Sequence, residues 1–241
     1  MIDERHDGST TWLTFARPEQ LNAFTVAGYR ELRIALQRLA SDDATRVVVL
    51  TGSGRAFSAG ADRSLLDGSL PAAEGKRAGE EFELLLDVLG TFAKPLFAAV
   101  NGLAVGFGCT MLLYCDVILV AETARLRMPF TALGIVPEAG SSVLFPARVR
   151  WADAMWSMLS SEWIDAAAAH QMGLAWRVVP DADLTARTAA AAEVLGALDP
   201  KSVGATKRLM TEDRHRAARL ANTREIAQMG VLLGTKADPP D

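Results

Sequence analysis

Apolar residues recur along this chain in two periods, and the switching between them predicts strands and helices in turn. Thr10 to Ala16 alternates as a half-buried strand does, and Val26 to Ala40 repeats Tyr29, Leu32, Leu36 and Leu39 at helical spacing. Arg46 to Thr51 is a β-branched apolar run, the signature of a strand buried on both faces. A helix over Ala78 to Phe92, a buried strand over Leu96 to Val100, a helix over Gly106 to Tyr114 and a buried strand over Val117 to Ala121 follow. This cadence predicts an α/β fold with right-handed crossovers and a parallel-rich sheet. From Asp181 onward the pattern holds no further strand and predicts helices over Leu184 to Leu198, Pro200 to Thr211 and Glu212 to Leu233. Residues 1–180 therefore read as the body and 181–241 as a helical region of the same structural domain, with no internal repeat or low-complexity segment.

Composition narrows the partners. The chain has 241 residues, of which 50% are hydrophobic, enough to bury a sizeable core as one domain. A net charge of −4 excludes general affinity for nucleic acid or an anionic membrane, so a phosphate-bearing ligand would need local help. No stretch approaches the ~20 apolar residues of a membrane span, and Met1 to Asp7 lacks a basic-then-apolar leader pattern; a cytoplasmic location is the expectation. Cys109 and Cys115 stand six apart in a helical segment, facing different ways, and without nearby histidines they form neither a disulfide nor a zinc signature. Both read as small core residues. His6, His170 and His215 are scattered, read as surface or satisfied structural residues, and suggest no metal site.

Two glycine-punctuated turns carry the candidate chemistry. Phe57-Ser58-Ala59-Gly60-Ala61-Asp62 and Asn101-Gly102-Leu103-Ala104-Val105-Gly106-Phe107-Gly108-Cys109 each follow an apolar, strand-like run. Either alone reads as an ordinary strand-to-helix turn, but two such turns can aim two backbone N–H groups at one carbonyl oxygen that gains charge. Phe107, between Gly106 and Gly108, opens a helix whose first N–H groups lack partners. Ala59, followed by a glycine that permits close backbone approach, is the expected second donor. Ser58 lacks the flanking glycine of a nucleophile elbow and a histidine placed to activate it.

The stretches Arg17-Pro18-Glu19-Gln20-Leu21-Asn22-Ala23-Phe24, Ala56 to Asp62, Lys94-Pro95 through Cys109, and Cys115-Asp116 resemble, in order and spacing, the crotonase (enoyl-CoA hydratase/isomerase) superfamily. The resemblance spans about residues 10 to 235. It implies a spiral of repeated ββα units followed by a helical trimerisation region, assembly as a trimer or dimer of trimers, and an acyl-CoA thioester substrate whose enolate is stabilised by the N–H groups of Ala59 and Phe107. Coenzyme A would arrive as part of the substrate, with no separate cofactor. The resemblance also places the backbone of Gln20 and Leu21 at the ribose and pyrophosphate, Ala61 and Asp62 at the adenine end, and Gly108, Thr110, Phe130 and Leu133 around the acyl group. Glu19 stands where relatives often carry a lysine; Arg63, Lys76 and Arg77 could compensate or form a solvated face. Ser64 to Ala78, with Gly68, Pro71 and Gly75, reads as a mobile loop near the acyl pocket. After Leu233 only eight residues follow, ending in Pro239-Pro240-Asp241, so a final helix that many relatives lay over the coenzyme is expected to be missing.

Which side chain moves protons decides the reaction. The two glutamates with which hydratases of the superfamily add water would fall at Thr110 and Phe130, so ordinary hydration is not expected. Leu133-Gly134-Ile135-Val136-Pro137-Glu138-Ala139-Gly140-Ser141-Ser142 instead resembles the Pro-Glu-x-x-Ser-Ser segment of Δ3-to-Δ2 enoyl-CoA isomerases, whose glutamate is the sole acid/base. A double-bond shift needs one proton removed from C2 and one returned at C4 on the same face, which a single carboxylate can do. Read without the family, Glu138 is also a plausible helix-start carboxylate ahead of an N-cap at Ser141 or Ser142. Apolar neighbours would raise its pKa and the helix end would lower it. The expected activity is enoyl-CoA isomerisation with Glu138 as base and acid. The alternatives are a non-catalytic acyl-CoA-binding protein and a hydratase or other crotonase reaction, such as thioester hydrolysis or a dehydratase-like step.

Overall fold

A computed structural model describes residues 1–65 and 70–235. Through these the chain runs β1 (Ile2–Asp7), β2 (Thr10–Phe15), α1 (Val26–Ala40), β3 (Val47–Gly52), β4 (Ala56–Ser58), α2 (Ala72–Thr91), β5 (Leu96–Val100), β6 (Leu103–Val105), α3 (Phe107–Thr110), β7 (Val117–Ala121) and β8 (Arg125–Arg127). It continues with α4 (Ser141–Leu144), α5 (Trp151–Ser160), β9 (Ile164–Asp165), α6 (Ala166–Gln171), β10 (Arg177–Val179), α7 (Leu184–Gly196) and α8 (Pro200–Thr235). One sheet has the order β1-β2-β3-β5-β7-β10, a smaller one the order β4-β6-β8-β9. Strands β2, β3, β5, β7 and β10 run parallel, with β1 antiparallel at the edge.

Successive strands alternate between the sheets. In each of β3-β4, β5-β6 and β7-β8 the first strand enters the large sheet and the second the small one, and a helical segment follows. This repeat is the ββα spiral, and it brings the ends of β4 and β6 side by side. The parallel strands β3 and β5 are apolar nearly throughout because they are buried on both faces, with α7 and β4 packed against them. Helix α1 starts where the Thr25 hydroxyl accepts the Gly28 N–H at 3.2 Å, and it buries Tyr29, Leu32, Leu36 and Leu39 on one stripe.

Several expectations shift. The predicted helix over 78–92 begins earlier, at Ala72, so Pro71 is its N-cap rather than part of a loop, and Gly75 lies inside the helix. Gly68 falls outside the described residues, as do residues 236–241. The two helices predicted over 200–211 and 212–233 are one, since no glycine or proline interrupts Thr211-Glu212. Helix α8 is anchored by Lys207, whose Nζ meets Asp116 at 2.6 Å and the Lys94 carbonyl at 2.8 Å. The strands β1, β4, β6, β8, β9 and β10 were not marked by the periodicity; all but β1 are two or three residues long, too short to alternate visibly. No helix among the described residues is long and apolar enough to cross a membrane.

Candidate active site

The motif around Asn22 is a clamp. Asn22, fully buried at φ +58°, donates through its Nδ2 to the carbonyls of Ser53 and Ala56 at 2.9 and 2.8 Å and accepts the Arg17 N–H at 2.9 Å. Ser58 is buried and committed: its Oγ donates to the Asn22 carbonyl at 2.9 Å and accepts the Gly60 N–H at 3.1 Å. That leaves it no role as a nucleophile.

The same clamp corrects the choice of donor. The Ala59 N–H donates to the Leu21 carbonyl at 2.9 Å, so it is consumed by the fold. One residue pair further on, Phe24 and Ala61 form a parallel bridge in which the Phe24 N–H meets the Gly60 carbonyl and the Asp62 N–H meets the Phe24 carbonyl. The Ala61 N–H points away from that ladder and has no protein acceptor among the described residues. The Phe107 N–H is likewise without an acceptor, at the first position of α3 behind Gly106 at φ +53°. The two turns touch: a Cβ on Gly60, itself at φ +85°, would fall 2.5 Å from the Val105 carbonyl oxygen and 3.0 Å from the Phe107 nitrogen. A Cβ on Gly108 would fall 2.2 Å from the Ser58 carbonyl oxygen. Both glycines are there because two backbones meet. The pattern bonded, free, bonded along 60–62 is what single-sequence reasoning missed; the Gly60-Ala61 step after β4 was its signal.

Glu138 lies against this turn. Its Oε1 accepts the Thr110 hydroxyl at 3.0 Å, and Thr110 sits three residues beyond Phe107 on the same helical turn, fully buried. Loss of water around the carboxyl pushes the Glu138 pKa up to about 7 against the opposing Thr110 hydrogen bond, with the negative charge of Glu225 adding to the rise. Desolvation therefore prevails, and what opposes it is the Thr110 hydroxyl rather than a helix end. The Tyr29 phenol, raised by burial and then by the charges of Glu138 and Asp62, joins the same space, its ring packed on Phe107 at 5.5 Å and on Phe24 at 5.4 Å. With Phe82 at 5.3 Å these rings make an aromatic wall beside the carboxylate.

The turn bearing Glu138 bends sharply. Ala139 and Gly140 both take left-handed conformations, φ +59° and +67°. The Tyr114 hydroxyl donates to the Ala139 carbonyl at 2.8 Å, and the Ser141 N–H and hydroxyl donate to the Glu138 carbonyl. The expected N-cap at Ser141 or Ser142 is not realised: Ser141 is the first residue of α4, Gly140 is the cap, and the carboxylate of Glu225 takes the N–H groups.

Other predicted positions are dispersed. The Gln20 and Leu21 backbones are largely spent inside the molecule, the Gln20 N–H on Arg17, the Gln20 carbonyl on Ala23, the Leu21 N–H on Pro18 and the Leu21 carbonyl on Ala59. The Asp62 carboxylate is held by the Ser64 N–H and hydroxyl and by Arg17 at 3.2 Å; burial alone would raise its pKa, but these bonds lower it. Phe130 belongs to the core, and Leu133 lies at the surface. Cys109 and Cys115 are free and buried, each thiol pushed up to about 12 by desolvation. His6 meets Thr11 and Glu4, and His170 meets the Ala175 carbonyl, whereas the buried Nδ1 of His215 has no partner among the described residues.

An alternating two-sheet ββα spiral, with two adjoining turns that leave N–H groups open, defines a protein of the crotonase superfamily. The sequence profile of the enoyl-CoA hydratase/isomerase family matches residues 5–233, and the chain belongs to that family. A probable enoyl-CoA hydratase of Rhodobacter capsulatus is 42% identical over 175 residues, 71% of this chain and 65% of its own. The 1,2-epoxyphenylacetyl-CoA isomerase of Escherichia coli K12 is 37% identical over 175 residues, 71% of this chain and 67% of its own. The aligned segment thus spans about two thirds of each of these relatives. An enoyl-CoA hydratase/isomerase from Pseudoalteromonas atlantica superposes with a TM-score of 0.88 at 34% identity, covering 96% of this chain and 91% of that one.

Proposed function

We propose that this protein is an acyl-CoA isomerase that moves a double bond of an enoyl-CoA thioester from C3 to C2. Glu138 removes a proton from C2, the thioester oxygen takes up the charge of the resulting dienolate, and Glu138 returns the proton at C4. The N–H groups of Ala61 and Phe107 receive that oxygen, Ala61 replacing the expected Ala59. Preorganised donors of this kind contribute about 10²–10³ each to rate. The observation that carries the reading is Glu138 itself, hydrogen-bonded to Thr110 with a pKa of about 7. At that value it is half ionised near neutrality, able both to take and to give a proton. Thr110 and Phe130 supply no carboxylates to hold a water, which argues against hydration.

Coenzyme A enters as part of the substrate and no separate cofactor is needed. We further propose a homotrimer or a dimer of trimers: α5 and the residues after it expose Trp151, Trp156, Leu159 and Trp163, a cluster of large apolar side chains that suits burial against copies of the chain. Incubating the purified protein with 3-hexenoyl-CoA and following conjugated 2-hexenoyl-CoA tests the activity. The proposal expects turnover, with hydration of 2-hexenoyl-CoA at least about a hundredfold slower. Comparable hydration would return the site to a hydratase, and binding without turnover would make it an acyl-CoA-binding protein.

A further inference from the structure

Glu225 is 5% exposed, deep for a carboxylate, and it comes from α8, more than eighty residues beyond the turn it touches. Its Oε2 accepts the Gly140 N–H at 2.7 Å and its Oε1 accepts the Ser142 N–H at 2.9 Å. A carboxylate bridging two backbone donors fixes both the position and the tilt of the segment that carries them. Gly140 is also closely approached by α8: a Cβ there would fall 2.7 Å from the carbonyl oxygen of Ala218, which lies two helical turns before Glu225 on the same face. The turn's two successive left-handed residues, one of them an alanine, are a conformation that surrounding contacts must hold.

We propose that Glu225 is the positioning residue of the Glu138 site, clamping the 138–142 turn through Gly140 and Ser142 so that the Glu138 carboxylate faces Thr110 and the open N–H groups. This rests on the reading of Glu138 as the base and extends it to a group that touches neither substrate nor reacting atoms. It makes the site depend on the docking of α8. Glu225 also acts through its charge, since a second anion near Glu138 disfavours ionisation there. The other titratable groups facing this space are Tyr29 of α1 and Tyr114 after α3, with Asp62 beside Tyr29, and Asp87 of α2 and Arg214 of α8 acting on Tyr114.

Two substitutions separate reach from charge, read with 3-hexenoyl-CoA on the full chain. Glu225→Gln keeps the shape, loses the charge and offers only one acceptor to two donors. The expected result is a kcat about 10–100-fold lower, from misplacement of the base, with KM within about threefold. Its acid limb of kcat/KM should move to lower pH, because removing a neighbouring negative charge eases ionisation of Glu138. Glu225→Asp keeps the charge on a shorter arm, so kcat should fall while the acid limb stays in place. Hydrogen exchange of the Gly140 and Ser142 amides, measured on the same proteins, should speed up in both. Unchanged kcat and acid limb in Glu225→Gln overturn the proposal, as does a drop in melting temperature with amide exchange and pH profile unaltered. Full turnover in Glu138→Gln would instead overturn the reading of the base, while faster amide exchange in the Glu225 variants would still support the clamp.

Discussion

The two halves of the candidate site are built on opposite principles. The turns around Gly60 and Gly108 work by lacking side chains: two backbones approach to where a Cβ would lie 2.2–2.5 Å from a carbonyl oxygen, and the open N–H groups of Ala61 and Phe107 follow from that approach. The turn around Glu138 works by acquiring side chains from afar, Thr110 on α3, Tyr114 just after it and Glu225 on α8. A half built from backbone should be intolerant of added atoms. A half built from side chains should be tunable, one group at a time.

The sharpest contrast is removal of the base. Glu138→Gln keeps the size of the side chain and an acceptor for the Thr110 hydroxyl but cannot take a proton, so isomerase turnover should fall by at least ~10²–10⁴. Retention of more than about a tenth of wild-type turnover would show that Glu138 is not the base. Gly108→Val comes next and tests the other half. Its Cβ would collide with the Ser58 carbonyl, a backbone atom that cannot swing aside, so the variant should lose stability as well as activity. Overpacking of this kind costs typically ~1–3 kcal/mol, readable as a lower denaturant midpoint. The cost reaches stability because Gly108 is buried in α3 against the Ser58 backbone at the end of β4. Normal stability and kinetics in Gly108→Val would remove Phe107 from the site.

Smaller effects probe the tunable half. Wild-type kcat/KM should rise with pH through an acid limb near 7, the value to which Glu138 is pushed. Thr110→Val removes the hydrogen bond that favours the ionised form, so the limb should move to higher pH and activity at pH 7 should drop severalfold. A limb that stays in place would mean that Thr110 only fills space. The stability of Glu138→Gln supplies the last test. Because the native carboxyl titrates near 7 and the unfolded one near 4.5, the native state holds the extra proton between those values, and wild-type stability should decline as pH rises across that window. At ~1.4 kcal/mol per pH unit the decline is about 3 kcal/mol at most. The glutamine variant should escape it and melt higher than wild type at pH 8. Parallel stability curves for the two proteins would argue against a carboxyl whose pKa the fold raises.

What the sequence made legible follows the same divide. Helix α1 and the strands β5 and β7 were readable to the residue because their apolar periods are long and uninterrupted. The close approach at Gly60 and the helix start at Phe107 were readable because glycine placement is local. Which N–H stays open was not, since Ala59 and Ala61 differ only in whether Leu21 or nothing lies opposite, a contact nearly forty residues away in the chain. Glu138 was readable as an isolated carboxylate in a turn, but Thr110 was read as a pocket residue in place of a glutamate rather than as its hydrogen-bond donor. Glu225 carried no signal at all. On α8 it is one acid among many charged residues, and only the docking of that helix turns it inward.

The burial of Cys109 has a further chemical effect. It lies two residues beyond Phe107, enclosed in the core, and a reactive thiolate next to that turn would compete for the acyl group of a thioester. With the thiol pushed up to about 12 by burial, the neutral form prevails at pH 7. Burial thus keeps this sulfur protonated and enclosed behind the Phe107 turn, so that in the proposed reaction it would not compete with coenzyme A for the acyl group.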